Sequence, residues 1–307
     1  MKKTYALLLL CLCPLCAYTQ NTQLSIGSFS FSLSPKILED GSITDIGLGL
    51  DYADRLKGEL RFRNTISSKN EEIADVADSL NAVNEKLFEV FFLPIEYAFV
   101  KSPSVRLWTG AGVYYEYDKL IEKGFFNMPE LEANGRERIN AYQNDFAMHL
   151  IGPLIDAGVD FKTSWLNTSL SAGIVPLFFL SAAQKMSIVP LLDPHHADYT
   201  QNTRGSPYFY ARMDSIFFKY INLVLLYDTA QLQYKSIDFD DNLHWITPES
   251  TVLTQSLKIE ASLLLPLGNM SFQVGYGYTF DSTRFGSASP IDSNRQYIIL
   301  TARKTGD

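Results

Sequence analysis

Apolar side chains recur at every second position along this chain, over runs longer than soluble sheets use. Leu253, Leu257, Ile259, Ala261, Leu263 and Leu265 alternate with Thr254, Ser256, Lys258, Glu260 and Ser262. Met270, Phe272, Val274, Tyr276, Tyr278 and Phe280 alternate with Ser271, Gln273, Gly275, Gly277 and Thr279. The same period sets Ile46, Leu48, Leu50 and Tyr52 against Asp45, Gly47, Gly49 and Asp51. It sets Leu60, Phe62 and Ile66 against Glu59, Arg61 and Arg63, and it runs again from Val105 to Asp118. Successive side chains of a strand point to opposite faces, so each run is a strand with one apolar and one polar face. Many runs reach about 10–14 residues. Soluble strands usually stop near 5–6, whereas a tilted strand needs about 9–11 to cross a bilayer. The polar face carries ionised side chains and glycine, which a sandwich core would hold poorly.

The strands read from this pattern are 23–34, 43–53, 57–67, 87–100, 105–118, 146–161, 165–178, 207–217, 221–233, 251–265, 269–281 and 295–303. Their links alternate in length. Asp54 to Leu56, Lys101 to Ser104, Lys162 to Ser164, Phe218 to Tyr220 and Pro266 to Gly268 are short. The links 68–86, 119–145, 179–206, 234–250 and 282–294 are long, and 35–42 is modest. With a periplasmic N-terminus, every short link falls on the periplasmic side and every long one outside. The expected fold is all-β: a transmembrane, antiparallel, up-and-down barrel of about twelve strands, between roughly ten and fourteen. A soluble sandwich with an aromatic core explains neither the alternating links nor the strand length.

The first residues read as an address. Lys2 and Lys3 precede an apolar stretch from Tyr5 to Leu15, and Cys16-Ala17-Tyr18-Thr19-Gln20 then turns small and polar. This is the layout of a cleaved export signal, too short to span a bilayer. Residues 1–20 are expected to be removed, leaving 21–307 as the barrel domain. All three cysteines, Cys11, Cys13 and Cys16, lie in that segment. The mature chain then has no disulfide, zinc thiolate or cysteine nucleophile. Neither Cys13 nor Cys16 follows the small residues that a lipidation site prefers. No later segment has 18 consecutive apolar residues, which excludes membrane helices. A net charge of −8 argues against a nucleic-acid partner, which needs a basic face.

The 20 Phe and 17 Tyr cluster at the ends of the runs. Phe88, Phe91 and Phe92, Tyr114, Tyr115 and Tyr117, Tyr208, Phe209 and Tyr210, and Tyr276, Tyr278 and Phe280 adjoin long links; Tyr97, Phe99, Phe161, Trp165 and Phe217 adjoin short ones. Two belts of amphipathic rings at the two membrane interfaces are expected. Pro94, Pro153 and Pro176 fall within strands, where each removes a ladder bond, so bulges are expected there. Near Pro153 the apolar parity changes from Met148 and Leu150 to Ile155, Ala157 and Val159. Ser68 to Glu71 has capping-box spacing with Ile73, Val76, Leu80 and Val83 following at helical intervals, and Asn127 before Pro129-Glu130 reads as a second helix start.

The inward face carries both signs of charge. The expected lumen residues are Asp51, Glu59, Arg61, Arg63, Arg106, Glu116, Asp118, Asp156, Asp160, Arg212, Asp214, Asp228, Lys258 and Glu260. Such a face suits a hydrated pore whose charge sets selectivity, or an interior closed by ion pairs. With acid in excess, an open lumen would mildly prefer cations. Asp193-Pro194-His195-His196-Ala197-Asp198 and the set Asp238, Asp240, Asp241 and His244 hold ligand types for a divalent metal, with His195 and His196 the nearest to a site; neither spacing fits a fixed motif. His149 is the only histidine within a strand; the outer-membrane phospholipases use a lipid-facing Asn, His and Ser, but His149 is followed by Leu150-Ile151-Gly152 and no matching run. No catalytic set, cofactor or resident metal is expected. Asn167-Thr168-Ser169 matches a glycosylation acceptor but falls in a membrane strand.

Taken together, the export signal, the cysteine-free remainder, strands such as Met270 to Phe280 and the asymmetric links resemble the bacterial outer-membrane β-barrel, or porin-like, class. The resemblance spans nearly the whole mature chain and is architectural, with no single family's motif. It implies outer-membrane lipids, the barrel-assembly machinery and small solutes as partners. The leading expectation is a non-enzymatic channel for small hydrophilic solutes. The alternatives are a closed barrel that scaffolds surface loops for adhesion or host contact, and a transporter of a hydrophobic ligand.

Overall fold

A computed structural model describes residues 28–53, 55–72, 80–127, 139–189, 192–235, 237–239, 244–267, 270–285 and 291–305. The expected export signal, residues 1–20, lies outside them. The alternating runs become strands β1 (Ser28–Leu38), β2 (Gly41–Ala53), β3 (Leu56–Glu72), β4 (Leu80–Lys101), β5 (Val105–Asn127), β6 (Ile139–Lys162), β7 (Leu166–Val189), β8 (Leu192–Phe217), β9 (Ile221–Lys235), β12 (Glu249–Leu267), β13 (Met270–Phe285) and β14 (Ile291–Thr305). Among the described residues these twelve form one closed antiparallel barrel, each paired with its neighbours in sequence, with β9 against β12 and β14 returning to β1. Between β9 and β12, β10 (Asp238–Phe239) and β11 (Trp245–Ile246) form a two-stranded sheet of their own. Closure leaves no open edge, which a strand-built membrane span requires.

Alternation fixes which way each wall residue points. Leu257, Ile259, Leu263, Leu265, Phe272, Val274, Tyr276, Phe280, Ile298 and Leu300 are all exposed on the outside of β12, β13 and β14. So much contiguous apolar surface is intolerable in water and ordinary against lipid tails. The chain is a transmembrane β-barrel. On β5 the outward residues run Leu107 to Tyr117 and then turn to Lys119 and Lys123, which marks the outer rim of the apolar band. On the short-link side, Tyr97, Phe99, Phe161, Trp165, Phe218 and Tyr220 are exposed and form the other belt. There the β8–β9 link turns through positive φ at both Phe218 (51°) and Lys219 (68°), the conformation of a two-residue hairpin that follows the strand twist. Phe218 lies 6.1 Å from the Trp165 ring, anchoring that turn in the belt.

Several expectations are corrected. The 35–42 link shrinks to Glu39 and Asp40, because β1 continues past Pro35 to Leu38. The long links 119–145 and 179–206 are mostly strand, with β5 pairing out to Asn127↔Ile139 and β7 with β8 to Ile188↔Leu192. Above the membrane both faces of a hairpin meet water, so the ladder persists while the apolar alternation that reveals it does not. The capping-box segment is strand too: Lys69 pairs with Val83 and Asn70 with Ala82. Residues 73–79 and 128–138, which hold the rest of the two expected helices, lie outside the described residues; Asn127 itself ends β5.

All three prolines adjoin register shifts. Register slips between Phe92 and Ile95 around Pro94, and between Val175 and Leu177 around Pro176. Each extra residue switches the inward parity, from Phe91 and Leu93 to Glu96 and Ala98 in β4, and from Gly173 and Val175 to Phe178 and Leu180 in β7. At Pro153 the expected irregularity appears on one side only: β6 pairs with β5 without interruption through Val113↔Pro153, but its register with β7 slips between Ile151 and Ile155, the extra residue lying in β7. Even-numbered residues of β6 face inward on both sides of Pro153. The apparent parity change arises because Met148, Leu150 and Leu154 are buried inside the barrel, whereas Ile155 faces lipid.

Candidate functional site

The lumen is divided. A cavity of 670 Å³ occupies the short-link half and one of 630 Å³ the long-link half; Arg63, Tyr208 and Lys258 line both. One layer of side chains therefore lies between them. The layer has two chemically different sides, set by which residues each strand turns inward.

On β1 to β4, β12 and β14 that side is charged. Lys36 Nζ lies 2.6 Å from both Asp45 Oδ2 and Glu260 Oε1. Tyr297 donates to Glu260 Oε1 at 2.8 Å, and its ring lies 5.5 Å from the Lys36 ammonium. Arg63 Nε donates to Asp45 Oδ1 at 2.9 Å and Nη1 to Glu89 Oε2 at 3.3 Å. This network joins β1, β2, β3, β4, β12 and β14, and so braces the seam where the chain's first and last strands meet. On β4 to β9 the side is aromatic and aliphatic. Phe91, Tyr114, Phe178, Tyr208 and Tyr210 pack ring against ring, with Tyr114 stacked on Tyr208 at 5.0 Å. Leu93, Met148, Leu150, Leu154, Val175 and Leu180 fill the space behind them. Phe91, Tyr114, Tyr208 and Tyr210 were expected in the outer aromatic belt; they are corrected to the interior, since each stands on the inward parity of its strand.

Tyrosine hydroxyls satisfy carboxylates at this boundary. Tyr114 donates to Glu89 at 3.3 Å and also to Glu116. Tyr210 donates to Asp156 Oδ2 at 2.6 Å. Three inward rings lie across glycines of the facing strand: Trp108 on Gly158, Tyr210 on Gly173 and Tyr297 on Gly277. A Cβ at Gly173 would come within 2.4 Å of the Tyr210 ring, and one at Gly277 within 2.1 Å of Tyr297. Glycine is needed there because the ring occupies the space of its missing side chain.

The structure brings the residues expected in the lumen to these two cavities. Asp51, Glu59, Arg61, Arg106, Asp160, Arg212, Asp214 and Glu260 line the short-link cavity, Glu116, Asp118 and Asp228 the long-link one, and Arg63 and Lys258 both. Asp156 is fully buried beneath Tyr210, beside the short-link cavity rather than on its surface. Most of the basic groups in the short-link half are matched. Arg106 bridges Glu96 at 3.2 Å and Asp160 at 3.1 Å, Arg61 pairs with Glu59 at 2.9 Å, Arg212 with Asp214 at 3.3 Å and Lys57 with Asp51 at 3.4 Å. The long-link half is not balanced. Its described lining has seven carboxylates (Glu85, Glu89, Glu116, Asp118, Glu122, Asp228 and Asp281) against Arg63, Lys258 and Arg295. Lys36, Asp45 and Glu96 also line the short-link cavity and Glu89 the long-link one, beyond the residues expected from the sequence. Asp45 carried a signal, since it shares the polar parity of Gly47, Gly49 and Asp51.

The other candidates lie elsewhere. His195 stacks on Trp245 at 5.5 Å, and His196 meets Asp198 at 3.1 Å. Among the described residues no three His, Cys, Asp or Glu side chains converge on a metal position. Asp240 and Asp241 lie outside the described residues. His149 faces outward with Nδ1 2.9 Å from the Tyr115 hydroxyl and its ring 4.7 Å from Tyr117; Ser181 is its partner in the ladder, with no hydrogen bond between their side chains.

No family model matches the chain, and no curated protein sequence matches it. Among solved structures it is similar to the toluene transporter TodX of Pseudomonas putida, with 9% identity over 91% of this chain and 89% of that one and a TM-score of 0.46. It is similar to the translocator domain of the autotransporter NalP from Neisseria meningitidis, with 10% identity over 99% and 97% and a TM-score of 0.44. It is also similar to the outer membrane protease OmpT of Escherichia coli, with 11% identity over 92% and 95% and a TM-score of 0.30. A transporter, a translocator and a protease have different tasks, and the functional reading below rests on this chain's own residues.

Proposed function

We propose that the barrel is a passive outer-membrane channel for small hydrophilic solutes. The observation that carries the reading is the single layer between two cavities of 670 and 630 Å³, each lined in part by charged side chains. Arg63, Tyr208 and Lys258 line both cavities, so a solute or hydrated ion that crosses from one to the other passes beside them. The charged side of that layer supplies hydrogen-bond partners to a solute that sheds water, as a selectivity filter does. Its aromatic side limits the width without binding polar groups. The acidic excess of the outer cavity raises the local cation concentration and favours cations over anions.

Purified, refolded protein in planar lipid bilayers tests this. Discrete conductance steps are expected, with a reversal potential in a KCl gradient of the sign that marks cation preference. Tyr208→Ala removes the one aromatic ring that faces both cavities and is expected to raise unit conductance. A folded barrel that stays silent both as wild type and as Tyr208→Ala refutes the channel.

A further inference from the structure

We infer that the long-link cavity is a binding site for zwitterionic solutes with an apolar side chain, of the amino-acid or short-peptide class. The inference rests on the channel reading for the cavity's access to external solute. Three features of one cavity coincide. First, Lys258 is 8% exposed, lines the cavity at its inner end and makes no salt bridge or hydrogen bond among the described residues. Its neighbour in the network, Lys36, takes Asp45 and Glu260 at 2.6 Å each, and Arg63 takes Asp45 and Glu89. An ammonium has three protons to donate, so a buried one without wall partners takes its acceptors from the contents of the lumen. Second, Glu116, Asp118 and Asp228 line the same cavity and make no ion pair within 4 Å among the described residues, Glu116 taking the Tyr114 hydroxyl. Third, the wall of β6 and β7 is apolar at Phe146, Met148, Leu150 and Phe178, with the Asn144–Gln184 pair as its polar part.

An anion would meet Lys258 amid excess acid, and a simple cation would leave the Lys258 ammonium without a hydrogen-bond acceptor. A zwitterion satisfies both. Its carboxylate meets Lys258 at the inner end, its ammonium meets the carboxylates of β5 and β9, and its side chain lies against Phe146 and Met148. A cavity of 630 Å³ is of the size that holds a small organic ligand.

The test is equilibrium binding by titration calorimetry on the detergent-solubilised, full-length barrel. The probes are alanyl-phenylalanine, its N-acetyl derivative and its C-terminal amide. The free dipeptide is expected to bind tightest, with each cap weakening binding about tenfold or more, the worth of one charge-assisted contact. Lys258→Met is expected to abolish the penalty for the amide and keep that for the acetyl cap. The double variant Asp118→Asn, Asp228→Asn is expected to do the reverse. An amide that binds wild type as well as the free dipeptide overturns the proposal in favour of a plain cation site. Binding of none of the three overturns it in favour of a water-filled vestibule. The three wild-type titrations decide even where a variant fails to fold. Binding does not require conduction: a silent barrel that binds the dipeptide removes the channel and keeps this site, and a conducting barrel that binds nothing does the opposite.

Discussion

Replacing Lys36 by methionine removes the cation at the centre of the interior network while keeping the length and apolar stem of the side chain. In the wild type Lys36 is 5% exposed and contacts Asp45 Oδ2 and Glu260 Oε1 at 2.6 Å each. Asp45 retains Arg63 at 2.9 Å, but Glu260 is left with the Tyr297 hydroxyl at 2.8 Å as its hydrogen-bond donor. Breaking a buried pair by deleting one partner costs about 3–5 kcal/mol, because the surviving charge stays desolvated. The variant is therefore expected to lose about 3–5 kcal/mol of unfolding free energy, read from reversible guanidinium titrations in vesicles with tryptophan fluorescence. The double variant Lys36→Met, Glu260→Gln removes the stranded charge and is expected to recover a good part of that loss, so the second substitution stabilises the background of the first. A single variant within about 1 kcal/mol of wild type would place the network in the range of exposed pairs. That result, or a double variant weaker than the single, would refute the buried-network reasoning.

Other outcomes follow from the same geometry. Gly173→Ala is expected to cost about 1–3 kcal/mol and to lower the yield of the heat-modifiable folded band on gels, since the new methyl meets the Tyr210 ring; an unchanged yield and stability would mean the ring is free to move. Leu263→Arg is expected to cost about 2–4 kcal/mol in vesicle unfolding, because Leu263 faces lipid on the outer wall; a neutral result would place that face in water. Lys123→Cys, on the exposed upper part of β5, is expected to react with an impermeant maleimide in intact cells, whereas Ser102→Cys in the β4–β5 turn reacts only after permeabilisation. The opposite labelling would invert the barrel.

Strands were legible wherever one face meets lipid and the other meets charge. β12 and β13 are the clearest case, with Leu257 to Leu265 and Met270 to Phe280 outward and Lys258, Glu260, Gln273 and Thr279 inward. Strand ends were not legible. The sequence from Asp193 to Tyr199 is polar on both sides, as a hairpin in water is, and nothing in its pattern separates strand from loop. Lys36 was lost for a related reason: Pro35 reads as a break, yet it sits in the ladder opposite Thr44. Glu89 and Glu96 were lost because the bulge at Pro94 puts them on opposite parities of one strand, so no fixed period gathers both.

The failures in the middle of the barrel have a single physical cause, which also bears on function. On β6 and β7 the inner face holds Met148, Leu150, Leu154, Val175, Phe178 and Leu180, all buried, while the outer face holds Ile155 and Phe179 against lipid. Both faces are apolar, so the two-residue period fades there and aromatic residues cannot be sorted into belt and interior by pattern alone. The fading is informative in itself. A barrel open to water along its whole wall would keep a polar inner face on every strand. Where the inner face turns apolar, side chains must fill the lumen to keep it from water, and the opposite wall must then carry the polar path. That is the arrangement around Tyr114 and Tyr208: their rings pack against Phe91 and Phe178 on one wall, while Arg63 and Lys258 stand on the facing wall. Loss of alternation on neighbouring strands of an otherwise alternating barrel thus marks the height and the side at which its lumen narrows.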